Sequence, residues 1–143
     1  MRPVLLVAAL ALSGCTTTYQ LQLMPRDSGR MYSGTAQDTR YGEGTISITI
    51  EDKTYSGTWV ATSPDRATAY VSGGYGWGRH GGAGIGIVTM DNPQGAEGKA
   101  LLSSSDGAGL RCDLRSSYGH GGGVCRDDKG REYDVQMRAG ENR

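Results

Sequence analysis

Two histidines are the residues of this sequence best suited to metal binding or acid and base chemistry. His80 and His120 both lie in glycine-rich stretches, which also hold Tyr75, Trp77 and Tyr118. Because glycine-flanked loop histidines are accessible, the two imidazoles could share a divalent cation if their loops met at one end of the fold. Two ligands are still too few for a complete site. We therefore expect solvated loop histidines, with no bound metal and no other cofactor.

Five aspartates near the C-terminus are the candidates for a carboxylate pair in general acid and base catalysis. Three of them lie where turns prefer aspartate, and two alternate with apolar residues, as outward positions of a strand do. No Gly-x-Ser-x-Gly motif is present. The sequence therefore predicts a protein that is not an enzyme. The turn aspartates are Asp106, Asp127 and Asp128, and the strand aspartates are Asp113 and Asp134.

The aromatic residues of the same glycine-rich stretches could serve binding. Tyr75, Trp77 and Tyr118 would offer ring faces to a sugar or a protein partner. Together with His80 and His120 they form the predicted binding surface. The alternative interpretation is that these rings pack against the sheet.

The N-terminus has the layout of a secretory signal peptide. Met1 and Arg2 precede the unbroken apolar run Val4–Leu12, and small residues precede Cys15. The run is too short to span a bilayer, which needs roughly 20 apolar residues. The sequence therefore predicts an exported chain from which residues 1–14 are removed.

The segment Leu12-Ser13-Gly14-Cys15 resembles the lipobox of bacterial lipoproteins. This resemblance implies that Cys15 becomes the N-terminal residue and is acylated, with palmitate among the acyl chains, so that these chains anchor the protein in a membrane. Thr16 follows the cysteine, and by the enterobacterial sorting rule a residue other than aspartate implies the outer membrane. We expect anchoring at its periplasmic face, with the inner membrane as the alternative.

If Cys15 carries lipid, two cysteines remain, Cys112 and Cys125. Exported chains fold in an oxidising compartment, where two cysteines allow one intramolecular pairing. Two cysteines without a CxxC spacing or a paired histidine are a poor zinc ligand set. We therefore expect a disulfide between Cys112 and Cys125, on strands that flank one loop.

The elements that must hold these residues are β-strands joined by short turns. Ile46, Ile48 and Ile50 alternate with polar residues, and a charged turn leads into a returning strand, which is typical of a hairpin. The glycine-rich stretch Gly73–Gly86 is predicted to be a long loop or a flat strand. We predict an all-β fold, a single antiparallel β-sandwich or β-barrel-like domain of about eight strands. The predicted strands are 46–50, 54–61, 67–71, 85–90, 98–104, 108–115, 122–126 and 131–138.

Composition limits the organisation and the partners. The chain has 143 residues, 24 of them glycine, with no phenylalanine and a formal net charge of zero, which argues against a nucleic-acid partner. Length predicts one domain. Tyr19, Leu21 and Leu23 alternate, so a first strand is an alternative within the spacer. The predicted segments are a lipoprotein signal peptide (1–14), acylated cysteine and spacer (15–30), all-β domain (31–138) and flexible C-terminal tail (139–143).

The chain that follows the signal also resembles small, glycine-rich bacterial lipoproteins of an uncharacterised family. The matching elements are the lipobox, the segment Lys53–Val60 and the cysteine segments Gly109–Cys112 and Val124–Asp128. These motifs imply a fold and a location and carry no known chemistry. We predict a lipid-anchored envelope protein, a non-catalytic structural or binding module with an envelope protein or a glycan as partner. The alternative is a small envelope enzyme or a carbohydrate-binding accessory protein that acts on cell-wall glycans.

Overall fold

A computed structural model describes residues 16–39, 41–63, 66–74, 83–93 and 95–140. These residues form antiparallel strands and contain no α-helix, and so none that could cross a membrane. The strands are β1 (Thr17–Pro25), β2 (Tyr32–Asp38), β3 (Glu43–Ile50), β4 (Lys53–Ser63), β5 (Arg66–Gly74), β6 (Ala83–Asp91), β7 (Ala96–Ser103), β8 (Gly109–Ser117), β9 (His120–Asp127) and β10 (Glu132–Ala139).

Eight of these strands close into a barrel. The strand order is β1-β2-β3-β4-β7-β8-β9-β10, and β10 pairs with β1 to complete the ring. β5 and β6 form a separate two-stranded sheet, inserted in the chain between β4 and β7. The prediction of an antiparallel all-β domain is therefore confirmed, and of the two predicted architectures the barrel is the one that forms.

One face of each barrel strand carries the core. On β3, Ile46, Ile48 and Ile50 are 2%, 0% and 6% exposed. The neighbouring threonines Thr45 and Thr49 face solvent. Side chains of a strand alternate between its two faces, so this pattern fills the barrel with apolar side chains and leaves polar ones outside. The other large buried residues are Leu21, Leu23, Tyr55, Leu102, Leu110, Tyr133, Val135 and Met137.

The barrel end that carries the β1–β2, β3–β4, β7–β8 and β9–β10 connections is tightly packed, and we call it the closed end. The rings of Tyr32 and Tyr133 meet edge to face there, with centroids 6.5 Å apart. The Tyr133 hydroxyl donates to Asp127 Oδ2 at 3.1 Å, and burial raises the pKa of Tyr133 to about 12. Ion pairs ring this end: Arg26–Glu132, Lys53–Asp106 and Arg131–Asp27.

The predicted spacer over residues 15–30 is wrong for Thr17–Pro25, because these residues form β1. Leu21 and Leu23 are 1% and 0% exposed, and their backbones pair with Met137 and Val135 of β10. The local sequence shows only a short alternation here. It does not reveal that this segment is a strand, because its pairing partner, β10, lies at the other end of the chain. The barrel domain therefore begins at Thr17 and includes Ala139, the first residue of the predicted tail.

The insertion confirms the strands predicted at 67–71 and 85–90. Backbone pairing in the β5–β6 sheet runs from Arg66 opposite Asp91 to Gly74 opposite Ala83. Both ends of the glycine-rich stretch are therefore strand. Residues 75–82, between the two strands, lie outside the described residues.

Candidate functional site

The barrel end opposite the closed end holds a cavity, and we call it the open end. It carries the β2–β3 connection, the β8–β9 turn and the two ends of the insertion. The cavity has a volume of about 540 Å³, within the range of about 300–1,000 Å³ that is usual for small-molecule sites. Ala36, Ala96 and Gly98 face it. Because these side chains are small, the strands leave space here, whereas leucine, isoleucine and tyrosine fill the closed end.

Trp59 forms one wall of the cavity and is positioned by a glycine. Asp38 of β2, Gly44 of β3 and Trp59 of β4 lie in one row across the sheet. Since Gly44 has no side chain, the indole reaches across it, and Trp59 Nε1 donates to the Gln37 carbonyl at 3.0 Å. A Cβ atom on Gly44 would lie 2.7 Å from that nitrogen. The glycine is therefore required for the observed place of the indole.

Asp38 places a carboxylate in the same wall. Its side chain points inward with that of Ala36, two residues earlier on β2. Asp38 Oδ1 is buried and accepts no hydrogen bond from the described residues, and burial raises the pKa of the carboxyl above its usual range. A buried acceptor without a partner costs about 1–3 kcal/mol. The fold thus keeps a destabilising group at the cavity, as binding sites often do.

Charge in the described lining of the cavity is acidic. Its charged residues are Asp38 and Glu97, and no lysine, arginine or histidine belongs to that lining. Glu97 lies between the inward positions Ala96 and Gly98 of β7, so its carboxylate points to the outer face, where it pairs with Arg115 directly opposite on β8. Asp38 is therefore the lining carboxylate without a described partner, and its charge favours a cationic group inside the cavity.

Of the predicted binding surface, the structure describes Tyr118 and His120. They flank Gly119 in the β8–β9 hairpin at the open end, and Tyr118 is 80% exposed. Tyr118 has φ +51° and Gly119 φ +81°, the left-handed pair that two-residue hairpin turns need. His120 is exposed, with Nδ1 3.3 Å from the Tyr118 carbonyl oxygen. Tyr118 and His120 therefore belong to the β8–β9 hairpin at the open end, and neither is among the described residues that line the cavity.

The rest of that surface lies outside the described residues, namely Tyr75, Trp77 and His80, and so does Cys15. The expectation of solvated loop histidines that share no metal therefore stays a prediction. Within the described part of the chain, no three histidine, cysteine, aspartate or glutamate side chains are grouped as metal ligands.

The five aspartates weighed as catalytic candidates have structural contacts. Asp127 Oδ1 accepts the backbone N–H groups of Lys129 and Arg131, each at 2.9 Å, and Asp106 Oδ1 accepts that of Ala108 at 3.2 Å. These bonds hold turns, as predicted. Asp113 and Asp134 are exposed strand residues, as predicted. Further contacts include the ion pairs Asp113–Lys99, Asp134–Arg26 and Asp128–Arg111.

Cys112 and Cys125 form the predicted disulfide. They lie directly opposite each other on β8 and β9, with Cα atoms 4.0 Å apart. Their exposed fractions are 2% and 0%. The crosslink is therefore part of the barrel core and is shielded from solvent.

Sequence reasoning missed Asp38 and the role of Trp59 in the cavity. The sequence did contain a signal for Asp38. Every second residue of β2 points inward, namely Tyr32, Gly34 and Ala36, and Asp38 is the next position in this series. An aspartate at an inward position is an exception to the pattern of the other strands. The alternation alone does not show that the space beside it is empty, since that depends on strands distant in sequence.

Comparisons with known proteins show no family for this chain. No family model matches the chain, and no curated protein matches it. Two solved structures are similar to it. One is a de novo designed fluorescence-activating β-barrel, with 18% identity, coverage of 86% of this chain and 91% of that chain, and a TM-score of 0.49. The other is a redesigned β-barrel, with 14% identity, coverage of 87% and 90%, and a TM-score of 0.49.

Proposed function

We propose that this protein is a lipid-anchored lipoprotein of the bacterial envelope whose barrel is a non-catalytic binding module. The observation that carries the binding function is the cavity of about 540 Å³ at the open end, with Trp59 and the Asp38 carboxylate, whose Oδ1 is buried, in its wall. An eight-stranded barrel has an interior just wide enough to hold one small ligand. A mostly apolar wall with a small number of polar groups is typical of small-molecule sites.

The residues that line the cavity favour a binding function over a catalytic one. Acid and base catalysis uses a titratable group within hydrogen-bond reach of the substrate, often paired with a second one. Asp38 is the unpaired carboxylate of the described lining, and Glu97 is held by Arg115. The aspartates near the C-terminus hold turns and ion pairs. A small envelope enzyme would need its second group elsewhere, so we favour the binding module.

The place of β1 supports a function at the membrane surface. β1 begins at Thr17, and its first residue pairs with Asp38 beside the cavity. Thr16 is then the single residue between an acylated Cys15 and the barrel. Because one residue spans at most about 3.6 Å, an acyl anchor on Cys15 would hold the open end close to the lipid. We propose the periplasmic face of the outer membrane as this surface.

Replacing Cys15 by serine is expected to release the protein from membranes. Without a thiol no acyl chain can be attached, and stable anchoring needs such chains. The measurement is the distribution of the protein between membrane and soluble fractions, together with incorporation of labelled palmitate. Thr16→Ser is the matched control and should leave the protein acylated and in the membrane fraction. If the Cys15→Ser protein stays in membranes, the proposed anchor is wrong.

The barrel is expected to bind N-phenyl-1-naphthylamine, a neutral apolar fluorophore, with one saturable site. We would use residues 16–143, which contain every strand of the closed barrel and its core. The chain has two tryptophans, so Trp77→Tyr leaves Trp59 as the single reporter. Probe fluorescence should rise as Trp59 emission falls by energy transfer.

Two substitutions on β7 make this binding test specific for the cavity. Ala96→Phe adds a ring inside it and should weaken probe binding about tenfold, which is about 1.4 kcal/mol. Leu101→Phe adds a similar ring on the outer face, where Leu101 is 64% exposed, and should leave the affinity unchanged. The absence of saturable binding, or equal effects of the two variants, would contradict a binding function for the cavity.

A further inference from the structure

We infer that the cavity selects a small amphiphile with a protonated amine, whose ammonium group pairs with Asp38. This inference rests on the proposed binding function and names its ligand class. The hydrocarbon part of the ligand would lie against the apolar wall, which includes Trp59, Leu114 and Met137. Such a ligand is complementary to the cavity in both charge and polarity.

The contacts of Asp38 carry the choice of an amine. Oδ1 is buried at the cavity and accepts no hydrogen bond from the described residues. An ammonium group would donate the missing bond and neutralise the charge, and charge-assisted bonds of this kind are roughly twice as strong as neutral ones. A hydroxyl could donate the bond but would leave the charge unpaired. A carboxylate ligand would meet the Asp38 carboxylate, which has the same sign of charge.

The position of Trp59 supports the same ligand. Trp59 and Asp38 flank Gly44 in one row across three strands. Tryptophan is the side chain that attracts a cation most strongly through its ring face. A zwitterionic phospholipid headgroup also carries an amine, but it would bring a phosphate of the same sign of charge as Asp38 into the cavity. We therefore propose a free amine as the ligand.

Three ligands with the same alkyl chain test the inference: octylamine, octanol and octanoate. Their affinities for residues 16–143 would be measured by titration calorimetry and by displacement of N-phenyl-1-naphthylamine. Octylamine should bind about tenfold or more tightly than octanol, as expected for one charge-assisted hydrogen bond. Octanoate should bind most weakly. A short-chain phosphatidylethanolamine should bind less tightly than octylamine, and tighter binding of that lipid would overturn the choice of a free amine.

Substitutions of Asp38 assign the selectivity to this residue. Asp38→Asn should lower the affinity for octylamine about tenfold, to that for octanol, and leave the affinity for octanol unchanged. Asp38→Glu keeps the charge and should keep the preference for the amine. Asp52→Asn removes an exposed carboxylate from the β3–β4 turn at the closed end and is the matched control. Near-ultraviolet circular dichroism checks that each variant is folded.

Octylamine binding should also weaken at acid pH. Protonation of Asp38 removes the partner of the ammonium, whereas the amine itself, with a pKa of about 10, stays charged. Because burial raises the pKa of Asp38, the loss should begin at higher pH than for an ordinary carboxyl, whose pKa is about 3.9. The other titratable groups of the described lining are Tyr19, Tyr41 and Glu97. This pH dependence should disappear in Asp38→Asn.

The results separate the inference from the function on which it rests. If the fluorophore binds and the three alkyl ligands displace it equally, the cavity is a binding site but its selectivity for an amine is refuted. The same holds if Asp38→Asn retains full affinity for octylamine. If neither the fluorophore nor octylamine binds, the proposed binding function and the inference both fail.

Discussion

Replacing Cys112 and Cys125 together by alanine should lower the free energy of unfolding of residues 16–143 by about 3 kcal/mol or more. The disulfide joins residues 13 apart in the chain. In the chain-entropy account, the crosslink stabilises the fold because it restricts the unfolded chain, and a loop of this size corresponds to about 3 kcal/mol. Both sulfur atoms belong to residues buried in the core, so lost packing adds to the effect.

Urea unfolding of the wild type and the double variant measures this effect. Loss of the crosslink exposes more surface in the unfolded state, so the dependence of the free energy on urea should become steeper in the variant. The wild type with a reductant, unfolded and refolded so that the buried bond is reached, keeps both sulfur atoms in the core and should therefore be destabilised slightly less than the variant. A decrease below about 1 kcal/mol would mean that the barrel is held by its core and strand pairing.

Replacing Gly57 by alanine should destabilise the barrel by about 3 kcal/mol or more. Gly57 lies on β4 opposite Leu102 of β7. A Cβ atom there would overlap the carbonyl oxygen of Leu101 and lie 2.8 Å from the Cα atom of Leu102. Because the obstructing atoms belong to backbone, two paired strands would have to separate. A side-chain rearrangement could not relieve the clash.

Gly29→Ala is the matched control for Gly57→Ala. A Cβ atom on Gly29 would have no atom within 4 Å, so the free energy of unfolding should change by less than about 0.5 kcal/mol. The two substitutions add the same methyl group, and their difference measures close strand approach alone. Equal effects of both substitutions in urea unfolding would show that β4 and β7 can move apart without cost.

The prediction for Gly57 also explains part of the unusual composition. Several inward glycines have the same close contact with the backbone of a neighbouring strand. Sharply curved barrels need residues without side chains where their strands bend. The glycine content of the barrel is therefore a requirement of its curvature. These glycines are Gly34, Gly44, Gly57, Gly121 and Gly123.

Much of the fold was predictable because it depends on local patterns. Alternation in Ile46, Ile48 and Ile50, and the turn at Glu51 and Asp52, are enough to predict the β3–β4 hairpin, which the structure confirms. The disulfide could also be predicted, since its two strands are adjacent in sequence. In each case the interacting residues are joined by a short turn, so local sequence determines which strands pair.

The sequence by itself determined the strands from β3 to β10, the turns between them and the disulfide, but not β1 and β2. Only the tertiary structure decided that the sheet closes, through pairing of Leu21 and Leu23 on β1 with β10. When the sheet closes, inward side chains from strands distant in sequence face the same interior space, so that Asp38 and Trp59 border one cavity. No local pattern encodes this arrangement, because the empty volume depends on all the side chains that face it at once. The candidate site is therefore a property of the closed barrel.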